Sequence, residues 1–286
     1  MRLYAPSTIK EIKDKYGFRF SKSLGQNFLT DKNIIDEIIE GSNISSEDLV
    51  IEIGPGIGVI TREAALNARK VIAIELDSNL IPILHETLGD LENVEVINKD
   101  VLKTQLNDLI KKEEFSGSVR VIGNLPYYIT TPIIMKLLEE RVKAETITVM
   151  MQKEVADRLK ASPGKKDFGA ISLMVQYFAD VKEIVKVPKT VFVPQPKVDS
   201  TVLRLDVRKE AAVKVKDEDF LFKVIKAGFS QRRKTLSNSL TTLKEFDKQE
   251  IIDSLEKAGI DPVRRGESLS LEEFAKLADV LLDKKK

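Results

Sequence analysis

The sequence predicts an α/β fold: a mostly parallel seven-stranded sheet covered by helices on both faces, followed by a small all-helical C-terminal domain. Three observations predict it. Between residues 50 and 151, short β-branched runs alternate with polar-apolar segments of period near 3.6, the pattern of βαβ units. Two longer apolar stretches, 169–187 and 199–207, are parted by Pro188, Pro194 and Pro196 and read as an antiparallel pair closing one sheet edge. After about residue 210 only helical spacing remains. The expected division is a first domain over 1–208, beginning with a basic arm over 1–30, and a helical domain over 209–286.

Taken in order, the arm carries apolar anchors at Ile9, Ile12, Tyr16, Phe18 and Phe20, then the segment Ser23-Leu-Gly-Gln-Asn-Phe-Leu29. Residues 31–41 are expected as a helix, because Ile34, Ile35, Ile38 and Ile39 share one face. Strands are expected at 50–54, 70–76, 94–98, 119–123 and 145–151, with helices between them at about 58–68, 78–88, 103–112 and 131–143. The C-terminal domain should hold helices at 217–229, 231–243, 247–257 and 271–283. Gly259 fits a cap after the third, and Ser270 with Glu273 a capping box opening the fourth.

Composition narrows the chemistry. A chain of 286 residues with ordinary apolar content suffices for one large domain and a small second one. No apolar stretch approaches the ~18–20 residues of a membrane span, and the first residues lack a signal-peptide pattern. A cytoplasmic protein with no membrane partner is therefore expected. Cysteine is absent, so there is no thiolate nucleophile for methylating a ring carbon and no Cys-based zinc site. His85 is the only histidine, which removes Ser-His-Asp triads and paired-His metal sites; it is expected as an ordinary, partly solvated side chain on a helix. No metal is expected. The net charge of +1 hides an asymmetry: residues 31–118 carry 8 Lys+Arg against 18 Asp+Glu, and the remaining residues 38 against 27. Such a split can turn a basic face toward a polyanion, although solvated surface charge accounts for it as well.

The chemistry-bearing residues sit at C-terminal strand ends, where open α/β sheets bind ligands. Strand 50–54 runs into Gly54-Pro-Gly-Ile-Gly58, a turn whose glycines let the backbone approach a ligand. Glu75 ends the next strand, where an acid can bind both hydroxyls of a ribose; NAD and S-adenosylmethionine fit that equally. Asp100 ends the third strand and can accept from an adenine amino group. The glycine spacing GxGxG, preceded by Glu52, departs from the dinucleotide GxGxxG, and no P-loop is present. Strand 119–123 ends in Gly123-Asn-Leu-Pro-Tyr-Tyr-Ile-Thr-Thr131. Asn124 offers a side-chain oxygen and Leu125 a backbone carbonyl, kept extended by Pro126. An exocyclic amine between those acceptors would direct both hydrogens to them and its lone pair outward. Tyr127 offers a face for base stacking, worth roughly 1–3 kcal/mol. The set reads as methylation of adenine at N6; the tetrapeptide by itself also fits a plain turn with a core Tyr.

These motifs resemble the ribosomal RNA adenine N6,N6-dimethyltransferase family (KsgA-type), in order and over nearly the whole chain. The resemblance runs from Ser23-Leu-Gly-Gln-Asn-Phe-Leu29 through the motifs above to Phe192-Val-Pro-Gln-Pro-Lys-Val-Asp-Ser200 and Phe229-Ser-Gln-Arg-Arg-Lys-Thr-Leu236. It implies a Rossmann-like class I S-adenosylmethionine-dependent methyltransferase. It implies donor contacts at Asn27, Leu29, Gly54, Gly56, Glu75, Asp100 and Asn124. Tyr127 would stack on the target adenine and Phe192 would close its other side. The implied substrate is a pair of adjacent adenines in a hairpin loop near the 3′ end of small-subunit rRNA, in a pre-30S-like particle, with the enzyme a monomer. RNA contacts are expected at Lys165, Lys197 and Arg232, Arg233 and Lys234, the last three opening a helix. Two alternatives stand beside it: a resistance-type methyltransferase of large-subunit rRNA, and a non-catalytic assembly factor on the same fold.

Overall fold

The computed structural model describes residues 2–18, 21, 25–113 and 115–285. Phe20, Ser23 and Leu24, which belong to the expected arm and its motif, lie outside the described residues. The arm contains a helix. Pro6–Tyr16 forms α1, begun by a proline at its first position and ended by Gly17 in the left-handed conformation. Leu3, Ile9, Ile12 and Phe18 are buried. Next come β1 (Phe28–Leu29) and α2 (Lys32–Gly41), the latter capped by the Asp31 carboxylate, which accepts from the backbone N–H groups of Asn33 and Ile34.

The expected alternation follows: β2 (Leu49–Ile53), α3 (Val59–Ala65), β3 (Lys70–Glu75), α4 (Ile81–Leu88), β4 (Val94–Asn98), α5 (Leu106–Lys111), β5 (Val119–Asn124), α6 (Thr130–Glu139) and β6 (Thr146–Gln152). After it come α7 (Lys153–Leu159), α8 (Ala170–Phe178), β7 (Ala179–Val187), β8 (Phe192–Val193) and β9 (Ser200–Val207). The chain closes with α9 (Glu218–Gly228), α10 (Leu236–Ser239), α11 (Lys248–Ala258) and α12 (Leu271–Lys284).

Seven strands form one sheet in the order β4-β3-β2-β5-β6-β9-β7. β2 pairs in parallel with β3 and β5, β3 with β4, and β5 with β6; β9 runs antiparallel to β6. Every residue of β2 is buried, as a strand covered on both faces must be. The strand order reverses at β2 and β5. Their outgoing chains therefore diverge and open a crevice between Gly54 and Asn124, at the switch point where ligands bind in such sheets.

Two expectations are corrected. The stretch 169–187 is not one strand: Ala170–Phe178 is helical and only Ala179–Val187 is extended. A continuous apolar run carries no period that separates a buried helix from a buried strand. The helix expected at 231–243 shrinks to α10 and one 3-10 turn. The Leu236 and Ser237 N–H groups donate to the carbonyls of Arg264 and Pro262, at 2.6 and 3.2 Å, and not to the preceding turn. Arg232, Arg233 and Lys234 consequently lie in a turn and not on a helix. Gly259 and the Ser270–Glu273 capping box form as expected.

The chain groups into two units. One holds the residues up to Ala156 with Val181–Val207; the other holds Asp157–Asp180 with the chain from Arg208 onward. Residues 157–180, expected in the first domain, group with the helical residues. Inside that second unit the Tyr177 ring meets Phe178 and Phe222 edge-on, at 5.0 and 5.2 Å between centroids, and Phe274 is fully buried.

Candidate active site

The crevice is walled by the ends of β2, β3 and β5, by the turn after β4 and by the arm. It brings together Asn27, Leu29, Gly54, Gly56, Glu75, Asp100, Asn124 and Pro126. Gly54 and Gly56 hold φ of 71° and 62°, a region side chains resist. A Cβ on Gly56 would stand 2.9 Å from the Phe28 ring, so the arm lies directly on the turn.

Glu75 is 6% exposed. Its Oε1 accepts the Asp77 N–H at 2.8 Å and its Oε2 the Gly56 N–H at 3.3 Å. Each oxygen keeps a further lone pair. Burial pushes the carboxyl up to about 7, the charge of Asp77 adds to the rise, and the backbone N–H groups oppose it. Glu52 is more extreme. At 1% exposure, burial pushes it up to about 8; the Thr61 hydroxyl opposes that and Glu75 adds to it. Neither Glu52 Oε2 nor Thr61 Oγ1 meets hydrogen-bond geometry among the described residues. Burial thus favours the neutral form of Glu52 at pH 7 and, less strongly, that of Glu75, so the two together put little charge into the crevice. Asp100 Oδ1 accepts the Leu102 N–H at 3.0 Å, and Oδ2 stands 3.8 Å from Lys103 Nζ.

Asn124 Nδ2 donates to the Asn27 carbonyl at 2.9 Å. Only the nitrogen can donate to a carbonyl, so this bond fixes the amide and leaves Oδ1 as an acceptor to which no described residue donates. The Leu125 N–H donates to the Met150 carbonyl at 3.2 Å; no described residue donates to the Leu125 carbonyl. The Pro126 carbonyl accepts from the Ile129 N–H and the Thr130 hydroxyl, at 3.1 and 3.0 Å, which holds the loop.

The two aromatic residues expected around a base do not line the crevice. Tyr127 is half-buried, its hydroxyl 2.8 Å from Ser200 Oγ, and burial raises its pKa. Phe192 is 3% exposed and sits opposite Leu29 in the small β1–β8 pair. Gln26, Leu76 and Tyr128 do line it and were not foreseen. Tyr128 and Leu76 are 57% and 50% exposed. Their only signal in the sequence was adjacency to Tyr127 and Glu75.

In the helical unit, Arg232, Arg233 and Lys234 are exposed. Arg232 donates to the Lys166 carbonyl and pairs with Glu267 at 3.2 Å, while the Glu267 carbonyl accepts the Gly164 N–H at 2.8 Å. These bonds set Lys165 and Lys166 beside Arg232–Lys234, 66 residues away in sequence. Lys197, in the first unit, is exposed near a turn in which Asp199 accepts the Lys189 N–H at 2.9 Å. His85 is exposed on α4. Among the described residues no helix is long and apolar enough to cross a membrane, and no group of three or more His, Asp or Glu could hold a metal ion.

The family model described as ribosomal RNA adenine dimethylase matches residues 17–283. The chain is 54% identical over 280 residues to the ribosomal RNA small subunit methyltransferase A of Clostridioides difficile (strain 630), covering 98% of this chain and 97% of that one. It is 54% identical over 286 residues to the protein of the same name from Alkaliphilus oremlandii (strain OhILAs), covering 99% of each. Among solved structures, a dimethyladenosine transferase from Plasmodium falciparum aligns with a TM-score of 0.76 at 28% identity, over 90% of this chain and 98% of that one. The 23S rRNA methyltransferase ErmE aligns with a TM-score of 0.67 at 28% identity, over 89% and 99%.

Proposed function

The chain belongs to the ribosomal RNA adenine dimethylase family, and from that premise we propose that it dimethylates N6 of two adjacent adenines in a hairpin loop near the 3′ end of small-subunit (16S) rRNA, with S-adenosylmethionine as donor. The crevice fits that donor. The spare lone pairs of Glu75 suit a ribose diol, Asp100 Oδ2 suits an adenine amino group, and the left-handed turn at Gly54 and Gly56 keeps Cβ atoms out of the way. Asn27 and Leu29 close the crevice from the arm. When bound, S-adenosylmethionine supplies a methyl group on a sulfonium, already a strong electrophile.

The chain's part is to prepare the nucleophile. Asn124 Oδ1 and the Leu125 carbonyl accept the two hydrogens of the adenine amine. That draws the nitrogen toward tetrahedral geometry and turns its lone pair out of the ring. Positioning of this kind can supply much of the rate. The proton lost from the amine passes to water, so no residue of the loop has to be a strong base. In the second round the amine has one hydrogen, and one acceptor goes unused. Tyr127, edge-tied through its hydroxyl to Ser200, is the residue proposed to stack on the base. Phe192 would have to uncover a ring face opposite Leu29 to close the other side. Lys165, Lys197, Arg232, Arg233 and Lys234 are the proposed phosphate contacts. The enzyme is proposed to act as a monomer, in the cytoplasm, on a pre-30S-like particle, whose loop adenines are already partly unstacked.

The observation that carries the mechanism is the Asn124 amide, fixed by the Asn27 carbonyl, with no described residue donating to its oxygen. The small-subunit names of relatives at 54% identity favour this substrate over the large-subunit one, whose ErmE structure stands at 28%. An intact donor and amine set favours catalysis over a purely structural assembly factor. Labelled methyl transfer to small and large subunits, assayed side by side, tests it. Transfer should go to the small subunit and fall by about 10²–10³ in Asn124→Ala, the scale of losing one transition-state contact. Undiminished transfer by the variant would sink the mechanism, and transfer to the large subunit would sink the substrate.

A further inference from the structure

Gln26 has no part in the roles above, yet it is tied into the crevice. Its Nε2 donates to Asp77 Oδ2 at 2.7 Å, and its Oε1 accepts the Ser21 N–H at 2.8 Å. Asp77 is 7% exposed, and its other oxygen accepts from the Asn79 backbone and side-chain nitrogens at 3.0 and 2.8 Å. The Asp77 N–H in turn donates to Glu75 Oε1. The second backbone donor to Glu75 is Gly56, against which the Phe28 ring rests. The Asp77 and Gly56 N–H groups on Glu75 are therefore braced by the arm, one through Gln26 and the other through Phe28. The residue between them, Asn27, holds the Asn124 amide.

We propose that Gln26 is a positioning residue for the methyl donor: through Asp77 it holds the Glu75 carboxylate in the orientation that receives a ribose diol. This deepens, and rests on, the S-adenosylmethionine reading of the crevice. A neutral amide suits the task. It satisfies a buried carboxylate without bringing a cation that would compete for Glu75. Because coupling between sites is reciprocal, a ligand that engages Glu75 also secures the arm carrying Asn27. The brace thus links the end that binds the ribose to the amide that prepares the amine.

Calorimetric titration of the full-length protein with S-adenosylhomocysteine tests it. Gln26→Leu keeps the bulk and removes the donor; it should weaken binding about tenfold, the effect of losing a hydrogen bond to a charged group. Gln26→Glu should weaken it further by setting a second carboxylate against that of Asp77. Adding Asp77→Asn to Gln26→Glu reverses donor and acceptor and should restore affinity to within about threefold of the parent. A role in folding alone would lower Tm in the single variants and show no such recovery. Parent-like binding by Gln26→Leu, or a swap that fails to recover affinity, overturns the inference. A parent protein that does not bind S-adenosylhomocysteine at all overturns the donor reading itself.

Discussion

At the scale of single residues, Glu52 separates what a motif announces from what its surroundings decide. Its place before the glycine turn is plain in the letters Glu52-Ile-Gly-Pro-Gly-Ile-Gly58. Its neutrality is not, because that comes from burial at 1% exposure beside Glu75. The consequence for stability has a definite sign. The folded pKa of about 8 lies above the ordinary 4.5, so the folded chain holds this proton more tightly than the unfolded chain does. The contribution is fully present below the ordinary value and is lost as pH rises toward the folded one. Glu52→Gln, with no charge to bury, should gain on the parent across that window, by up to a few kcal/mol at about 1.4 kcal/mol per unit. Denaturant midpoints at intervals between pH 5 and 8 measure the gap; parallel curves for the two proteins would contradict the assignment. Asn124 is the complementary case. Its candidacy was legible, but its orientation depends on a carbonyl 97 residues away.

At the scale of elements, the strands and most helices were legible because each carries its own period and its own stop signals. Gly259 and the Ser270–Glu273 box are local chemistry, and both form at the expected positions. α1 was missed although Ile9, Ile12 and Tyr16 stand at helical spacing, because the surrounding basic charge marks the segment only as an arm with apolar anchors. The turn between β2 and α3 shows how an element constrains its neighbour. Gly56 combines a left-handed φ with a close neighbour: a Cβ at this position would come within 2.9 Å of the Phe28 ring. Gly56→Ala should cost about 1–3 kcal/mol of stability through backbone strain and contact together. It should also weaken S-adenosylhomocysteine binding, since the displaced ring belongs to the segment that closes the crevice. Thermal melts and titrations on one preparation check both effects; unchanged Tm and affinity would show that β1 moves aside freely.

At the scale of the whole molecule, charge is the property that a linear reading locates only in part. The excess of basic over acidic residues outside 31–118 was countable. That Lys165 and Lys166 adjoin Arg232, Arg233 and Lys234 was not, since it depends on the bond from Arg232 to the Lys166 carbonyl. If these side chains meet phosphates, replacing Arg232, Arg233 and Lys234 together by Ala should lower the salt dependence of RNA binding by about 2 in logarithmic slope, at about 0.7 per contact for single strands. Donor affinity should stay at the parent value; an unchanged slope would remove the three residues from the interface. The sequence by itself determined the parallel sheet, the order of the strand-end motifs and the family, because hydrophobic period, glycine turns and strand-end acids are encoded within a few neighbouring residues. Tertiary structure alone decided the helix within 169–187, the loss of most of the helix at 231–243, the fixed Asn124 amide, the neutral Glu52 and the arm's brace on Glu75. Each of those depends on partners far apart in the chain or on exclusion from water, and neither is written in local spacing.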